Sequence, residues 1–263
     1  MTASPTGTRA PGGLAPAPGA APAALVVLRQ ALFELRSTLR NGEQLLLTLV
    51  IPLLLLVGLS RLPASLVGSG PPIDVVAPGV LALVVVSTAF TGQAIAVGFE
   101  RRYGVLRLLG ATPLGRTGLM AAKTIGVLLV EAVQVVLVVG VALLLGWQPA
   151  GSPAVAGIVL LVGTATFSAL GLLLGGTLRA EGTLAVANGL YLLMLAAGGL
   201  VVPADRYPDA WQSVVALLPS GALGDALRDV LLDGSGLPLP QLGVLAVWGV
   251  VAGLLASRVF RWD

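Results

Sequence analysis

The segment that decides the fold is FERRYGVLRLLGATPLGRTG, Phe99–Gly118, because it is the one long polar interval with apolar segments directly adjoining both ends. Its first charges are Glu100, Arg101 and Arg102, and the single lysine of the chain, Lys123, follows downstream. In a chain that is otherwise mostly apolar, such an interval is expected to lie outside a membrane. It is therefore the first place to look for contact with another molecule.

The composition around this segment is typical of a multi-pass membrane protein. Of the 263 residues, 56% are hydrophobic and 10% are charged, far below the roughly 25% charge of soluble globular chains. Apolar runs of about 18 residues or more recur, and about 20 helical residues cross a bilayer core. The chain has no Cys and no His, which excludes thiolate chemistry and leaves no metal site or histidine base to expect. It also lacks the basic face and aromatic platform of a nucleic-acid binder.

The N-terminal region divides into a tail and an amphipathic helix. Residues 1–23 are mostly Ala, Pro, Gly, Ser and Thr, which predicts a disordered tail without the apolar core of a cleaved signal peptide. In residues 24–43, leucines from Leu25 to Leu39 recur at three- and four-residue steps opposite polar residues such as Glu34. This pattern predicts a helix lying in the membrane interface. The alternative is a solvated helix packed on another part of the protein.

Residues 24–263, which include this helix, are predicted to form one transmembrane domain. Six transmembrane helices are expected, so the predicted fold class is an all-α integral membrane protein. Pro52 interrupts the first span, which membrane helices tolerate. The predicted spans are Leu45–Leu59, Gly79–Gly98, Leu119–Leu145, Ala154–Leu178, Leu184–Val202 and Leu239–Ala256.

The basic residues predict the orientation, because positive charge near span ends is retained in the cytoplasm. With both termini inside, the outer segments contain only Arg61, Arg206 and Arg228, whereas twelve of the fifteen basic residues are inside. The interval 99–118 is then cytoplasmic. The use of Arg over Lys, with abundant Ala and Gly, is typical of a GC-rich bacterial genome. The inner basic residues are Arg9, Arg29, Arg36, Arg40, Arg101, Arg102, Arg107, Arg116, Lys123, Arg179, Arg258 and Arg261.

Residues 203–238, before the last span, predict two short extracytoplasmic helices. Trp211 and Leu218 share one helical face, Pro219 breaks the run, and a second amphipathic piece contains Leu227 and Arg228. These helices either re-enter the outer leaflet or form a lid on the outer surface.

The third span contains Glu131 well inside its apolar run, with Gln134 one turn further on. An intramembrane carboxylate is a candidate for binding a substrate cation or a proton. The alternative is a packing role, with Glu131 protonated or hydrogen-bonded to Gln93, Gln134 or Asn188 on neighbouring helices. The sequence does not decide between these roles.

Two glycines in the fourth span form a weak sequence motif for helix packing. Gly171 and Gly175 form the small-xxx-small spacing that lets helix backbones approach closely. We interpret them as ordinary packing, with a seam between two copies as the less favoured use.

The residue inventory argues against an enzyme. A nucleotide-binding P-loop requires a glycine directly before its Lys-Thr pair, and here Ala122 precedes Lys123-Thr124. Serine nucleophiles have no histidine base, and Glu131 has no second intramembrane carboxylate as a partner. We expect no catalytic residue and no cofactor bound by this chain.

The polar interval resembles a motif of a transporter family. Its pattern Glu100-Arg-Arg-x-Gly104-x-Leu106-x-x-Leu109-x-x-Thr112-Pro113-Leu is similar to the E-R-E-x-G-x-L-x-x-L-x-x-T-P-L stretch of ABC-2 type exporter permeases, the drug-resistance and lipid exporters included. Leu218-Pro219 followed by Arg228 also resembles the stretch before the last span of that family. Arg102 stands where the family usually has a second acidic residue, and Arg107 where Glu or Gln is common.

The resemblance implies a cytoplasmic coupling helix that docks on a separate ATP-binding subunit. ATP and Mg²⁺ would be bound by that partner, and two permeases, as copies or paralogues, would form the transporter in the lipid bilayer. The implied coupling residues are Glu100, Arg101, Arg102, Gly104, Val105, Leu106, Leu109, Thr112 and Pro113.

Two other functional classes are consistent with the same sequence. An ion- or proton-driven secondary transporter would work through Glu131 without an ATPase, although the two halves of the chain are unequal for an inverted repeat. A membrane anchor or assembly scaffold would show no substrate-dependent activity. Against a docking role, the arginines of the interval also suit anchoring to anionic lipid.

Overall fold

A computed structural model describes residues 22–42, 46–63, 71–110 and 115–260, without the side chains at 46, 47, 107, 109, 110, 115–117 and 120. This part of the chain is helical and contains no strand. The predicted tail lies almost wholly outside it. The helices are α1 (Ala23–Arg40), α2 (the π turn Leu46–Val50 with Ile51–Leu59), α3 (Pro72–Arg102), α4 (Val105–Gly110), α5 (Gly115–Leu144), α6 (Pro153–Thr177), α7 (Ala180–Ala197), α8 (Asp209–Leu217), α9 (Pro219–Leu231) and α10 (Leu239–Val259).

Five of the described helices, α3, α5, α6, α7 and α10, are long and apolar enough to cross a membrane. The predicted all-helical membrane class is therefore confirmed, but the count of six spans is not. The segment expected as the first span forms a shorter apolar helix, Thr48–Leu59, and residues 43–45 lie outside the description. The fifth span runs over Ala180–Ala197 rather than Leu184–Val202, because Gly198 and Gly199 end the helix.

Helix α3 is the centre of the bundle, packed against α2, α5, α6, α7 and α9. From Val75 to Thr91 every one of its residues is buried. Pro72 suits its first turn, where a missing N–H costs nothing, and Pro78 lies inside the helix. A π-helical segment, Val86–Gly92, interrupts its α-helical hydrogen bonding, and such bulges are frequent at functional sites.

Helix α6 approaches α3 backbone to backbone. A Cβ atom at Gly171 would lie 2.9 Å from the carbonyl oxygens of Ala89 and Phe90, and one at Gly175 only 2.6 Å from that of Ala94. A larger side chain at either position would separate the two helices. The small-xxx-small spacing is thus used for packing within the chain, as the sequence indicated.

Helix α1 packs along α5 through its polar side. The Cβ atom of Glu34 would lie 2.9 Å from a Cβ added at Gly126, whereas Leu28, Leu32 and Phe33 are exposed. The leucine stripe predicted to face lipid is therefore left uncovered by the described part of the chain.

Helix α9 is buried in the bundle against α3, α6 and α10. Arg228, expected on its polar face, is in fact 4% exposed and donates to the carbonyl oxygens of Gly199 and Leu200 and to Asp225. Burial raises the pKa of the Asp225 carboxyl, and the charge of Arg228 opposes that rise. The arginine of the Leu218-Pro219 stretch thus stabilises the turn that ends α7.

The contacts divide the helix ends into two sets. At one end, Arg101 of α3 contacts the carbonyl of Leu178, and Gly176 of α6 lies against Phe260 after α10. At the other, the N–H of Gln148 lies 3.3 Å from Asp74 of α3. Successive long helices therefore alternate in direction. We call the first set, which includes Arg101, Arg102, Lys123, Arg179 and Arg258, the basic end.

Candidate functional site

The segment predicted to dock on a partner lies at the basic end. Helix α3 ends at Arg102, and Gly104 follows with a φ angle of +71°, a conformation that favours glycine. This turn directs the chain into the six-residue helix α4, Val105–Gly110. Thr112 and Pro113 of the predicted motif lie outside the described residues.

Burial within this segment differs from the expected apolar docking face. Leu106 is completely buried against Val97 and Leu119, so its role is to fix α4 to α3 and α5. Tyr103 and Leu108 instead are 69% and 72% exposed. Leu106 was predicted to contact a partner, and in this conformation its side chain is covered by the chain itself. Its docking role stays a prediction. Helical spacing shows which residues share a face, but the fold decides which face is covered.

Val105 and Leu109 complete the predicted apolar face. Val105 is half-buried, and the side chain of Leu109 is outside the description. We define the docking tip as Tyr103 and Leu108, the two apolar side chains of this turn that are exposed among those the structure describes.

The charge of Glu100 is paired inside the chain rather than presented to solvent. Lys123, 5% exposed, lies 2.7 and 2.6 Å from the two carboxylate oxygens of Glu100, and 3.4 Å from Glu34 Oε1. Gln30 in turn donates to Glu34 over 3.0 Å. This Lys123 cluster joins α1, α3 and α5, and the full pairing of its buried ammonium offsets the cost of desolvation.

The two arginines of the segment also have partners within the chain. Arg101 donates to the carbonyl of Leu178, and Arg102 forms an ion pair with Glu181 and lies 5.8 Å from the ring centroid of Tyr103. These contacts join the end of α3 to the turn between α6 and α7. The three charges at the start of the motif therefore serve first to hold helix ends together.

The intramembrane polar residues form two separate contacts. Glu131, 4% exposed, has its carboxylate oxygens 2.7 Å from the hydroxyl of Thr164 on α6. Gln134 accepts from Thr88 of α3 over 2.7 Å and donates to the carbonyl of Thr48 over 3.2 Å. The structure therefore pairs Glu131 with Thr164, and not with Gln93, Gln134 or Asn188 as the packing alternative supposed.

Gln93 and Asn188 are placed differently. Gln93 is buried on α3 beside a cleft of about 50 Å³, and neither of its amide atoms has a partner in the described structure. Asn188 is half-buried on α7. In the structure, Glu131 contacts α6, and Gln134 contacts α2 and α3. The four predicted polar residues, Glu131, Gln134, Gln93 and Asn188, are therefore not assembled into one site.

Sequence reasoning missed the partners of these groups: Glu34, Thr164 and Glu181. The sequence placed Glu34 on the polar side of α1, opposite the leucines. A carboxylate in that position was the one sign in the sequence that this side of α1 contacts another part of the protein. Thr164 and Glu181 have no such signal, because their pairing depends on how α6 and α7 pack.

The described residues contain five long apolar helices that alternate in direction and a short helix at the basic end. This architecture defines the class as a multi-pass α-helical membrane protein. A family model described as ABC-2 family transporter protein matches residues 73–258, from the start of α3 to the end of α10. The chain belongs to the ABC-2 transporter family, which confirms the resemblance seen in the motif and makes the chain a membrane component of a transporter.

A curated relative supports the same class. "Putative transport permease YvfS" of Bacillus subtilis (strain 168) is 28% identical over 139 residues, which is 52% of this chain and 56% of the relative. The match thus spans little more than half the length of that protein.

Proposed function

We propose that this chain is the permease subunit of an ATP-binding-cassette exporter in a bacterial cytoplasmic membrane, with both termini cytoplasmic. The observation that carries the proposal is the docking tip between two membrane helices, with Tyr103 exposed in the turn after α3 and Leu108 exposed on the short helix α4. Exposed aromatic and aliphatic side chains beside charges are suited to docking on a protein groove.

A separate ATPase subunit would bind this tip and supply ATP and Mg²⁺, since the sequence contains no P-loop. A second permease, a copy or a paralogue, would complete the transporter. The substrate would be a hydrophobic or amphipathic molecule, a drug or antibiotic among them, leaving from the inner leaflet.

The coupling would run through contacts at the basic end. Leu106 fixes α4 to Val97 of α3 and to Leu119 of α5, so a force on the docking tip reaches both spans. The Lys123 cluster joins the same two helices to α1. Movement of the tip would therefore displace α3, which lies at the centre of the bundle, and rock the spans around it.

The test is to co-express the chain with candidate ATPase subunits and to compare Leu108→Asp and Tyr103→Asp with Leu237→Asp. Leu237 is also exposed, 45%, but lies after α9, beyond the opposite end of the spans. We expect co-purification with the ATPase to fall about tenfold in the tip variants, the effect of losing roughly 1.4 kcal/mol of binding. Leu237→Asp is expected to leave it unchanged.

Leu106→Asp is unsuitable for this purpose because a buried carboxylate would unfold the segment. Unchanged co-purification and unchanged ATPase stimulation in both tip variants would remove the coupling role.

A further inference from the structure

An arginine-lined cleft lies at the basic end, where α3 ends and α6 turns into α7. It has a volume of about 390 Å³ and is lined by Gly98, Arg101, Arg102, Arg179, Ala180 and Glu181. This volume is within the range of ligand pockets, about 300–1,000 Å³. None of these residues belongs to the docking tip, and the transport proposal assigns the cleft no role.

The cleft has an excess of positive charge. Three guanidinium groups face one carboxylate, that of Glu181, which is already paired with Arg102. Arg101 uses one terminal nitrogen on the carbonyl of Leu178, while its Nη1 is buried without a partner among the described residues. Arg179 is exposed and forms no ion pair within the same part of the chain. The guanidinium of Arg179 thus remains available for an anion, and the charge of Arg101 beside it adds to the positive potential of the cleft.

The N-terminus of α7 adds to this preference. The helix begins at Ala180, and the side chain of its N-cap residue, Arg179, forms no capping hydrogen bond. Unpaired N–H groups and the helix dipole there favour a negative group, phosphate above all.

Two exposed leucines on α7 form a strip that extends from the cleft. Leu184 and Leu192, 40% and 59% exposed, lie on the side of α7 that begins at Glu181, with the half-buried Asn188 between them. The strip lies within a helix long and apolar enough to cross the membrane. A ligand with an anionic head and hydrocarbon tails matches both surfaces, whereas an acidic protein segment matches the cleft alone.

We propose that this cleft binds the phosphate headgroup of an anionic membrane lipid, with its acyl chains along Leu184 and Leu192. Arg179 donates bidentate hydrogen bonds to the phosphate oxygens, and the positive charge of Arg101 in the cleft wall strengthens the attraction. The bound lipid bridges the end of α3 and the start of α7, the same helix ends that Arg102 and Glu181 join.

The test measures binding of fluorescent phosphatidylglycerol and phosphatidylcholine to the purified chain in mixed micelles. Arg179→Gln is the main variant because Arg179 is exposed, and Arg101→Gln is the second. The matched control is Arg258→Gln, an exposed arginine of the basic end outside the cleft. We expect each cleft variant to bind phosphatidylglycerol about fivefold more weakly than the wild type, the effect of one arginine on an anionic headgroup. Binding to the control variant is expected to be unchanged, and phosphatidylcholine to bind more weakly throughout.

Four results would overturn the proposal. Equal binding of the two lipids, or equal loss in Arg258→Gln, would show nonspecific adsorption. Inorganic phosphate that binds as tightly as phosphatidylglycerol would assign the cleft to a free anion. If the cleft variants still bind the lipid but no longer co-purify with the ATPase subunit, the cleft binds an acidic protein partner. Leu108→Asp separates the two proposals, because it is expected to keep lipid binding whether or not an ATPase docks on the tip.

Discussion

At the scale of residues, Lys123 shows how a charge in an apolar chain is accommodated. Its ammonium is 5% exposed, and the carboxylates of Glu100 and Glu34 on two other helices surround it. Removing the lysine leaves the two carboxylates close together without a compensating charge. The sequence identified Lys123 and Glu100 as exceptional but not as a pair, because they are separated along the chain and meet only when α5 packs on α3.

Lys123→Met is expected to lower the free energy of unfolding by roughly 2–3 kcal/mol. This is less than the 3–5 kcal/mol of a fully buried pair, because both carboxylates are partly exposed. Thermal unfolding in detergent measures the loss. Arg258→Met, on an exposed side chain, is the control and should stay within about 0.5 kcal/mol. An equally stable Lys123→Met protein would show that the cluster contributes little.

Glu131→Gln distinguishes the exporter from the proton-driven alternative. Glutamine has nearly the same shape and still bonds to Thr164, so we expect stability and ATP-dependent transport to remain within about twofold of wild type. Transport assays in vesicles, with and without a proton gradient, measure this. Transport that persists without an ATPase, collapses with the gradient and is lost in Glu131→Gln would support the secondary transporter.

At the scale of elements, close helix packing depends on which glycines meet another backbone. Gly175 of α6 faces the carbonyl of Ala94, whereas Gly157 of the same helix has open space around it. The sequence distinguishes Gly175 by its spacing from Gly171 but does not show which backbone it contacts. The direction in which each faces is set by the position of α3 beside α6.

Gly175→Ala is expected to destabilise the protein by about 1–3 kcal/mol, since the added methyl group would lie 2.6 Å from a backbone oxygen that cannot move away cheaply. Gly157→Ala is the matched control and should be neutral or stabilising, because alanine is the better helix former by about 1 kcal/mol. Thermal unfolding of the two variants side by side tests the difference. The same change in both would mean that α3 and α6 are less tightly packed than the structure has them.

At the scale of the whole molecule, the alternation of the long helices places the docking tip and α8 at opposite ends of the bundle. The structure establishes which residues share an end, and the excess of basic residues predicts which end is cytoplasmic. Because the sequence contains no cysteine, single introduced cysteines report the side directly.

We expect Ala210→Cys, on exposed α8, to react with a membrane-impermeant maleimide in intact cells. Leu108→Cys, on the docking tip, should react only after the membrane is permeabilised. Both side chains are exposed, so a difference in labelling reports sidedness rather than burial. The opposite pattern would place the docking tip outside and end the exporter proposal.

The sequence by itself determined the membrane class, most of the spanning helices and the position of the polar interval, because these depend on local hydrophobicity and helical periodicity. It also carried the motif by which the family was recognised. The tertiary structure decided which of the described side chains of that interval are exposed. Leu106 and Glu100 are directed inward and Leu108 outward, because burial and ion pairing depend on neighbouring helices that are distant in the chain.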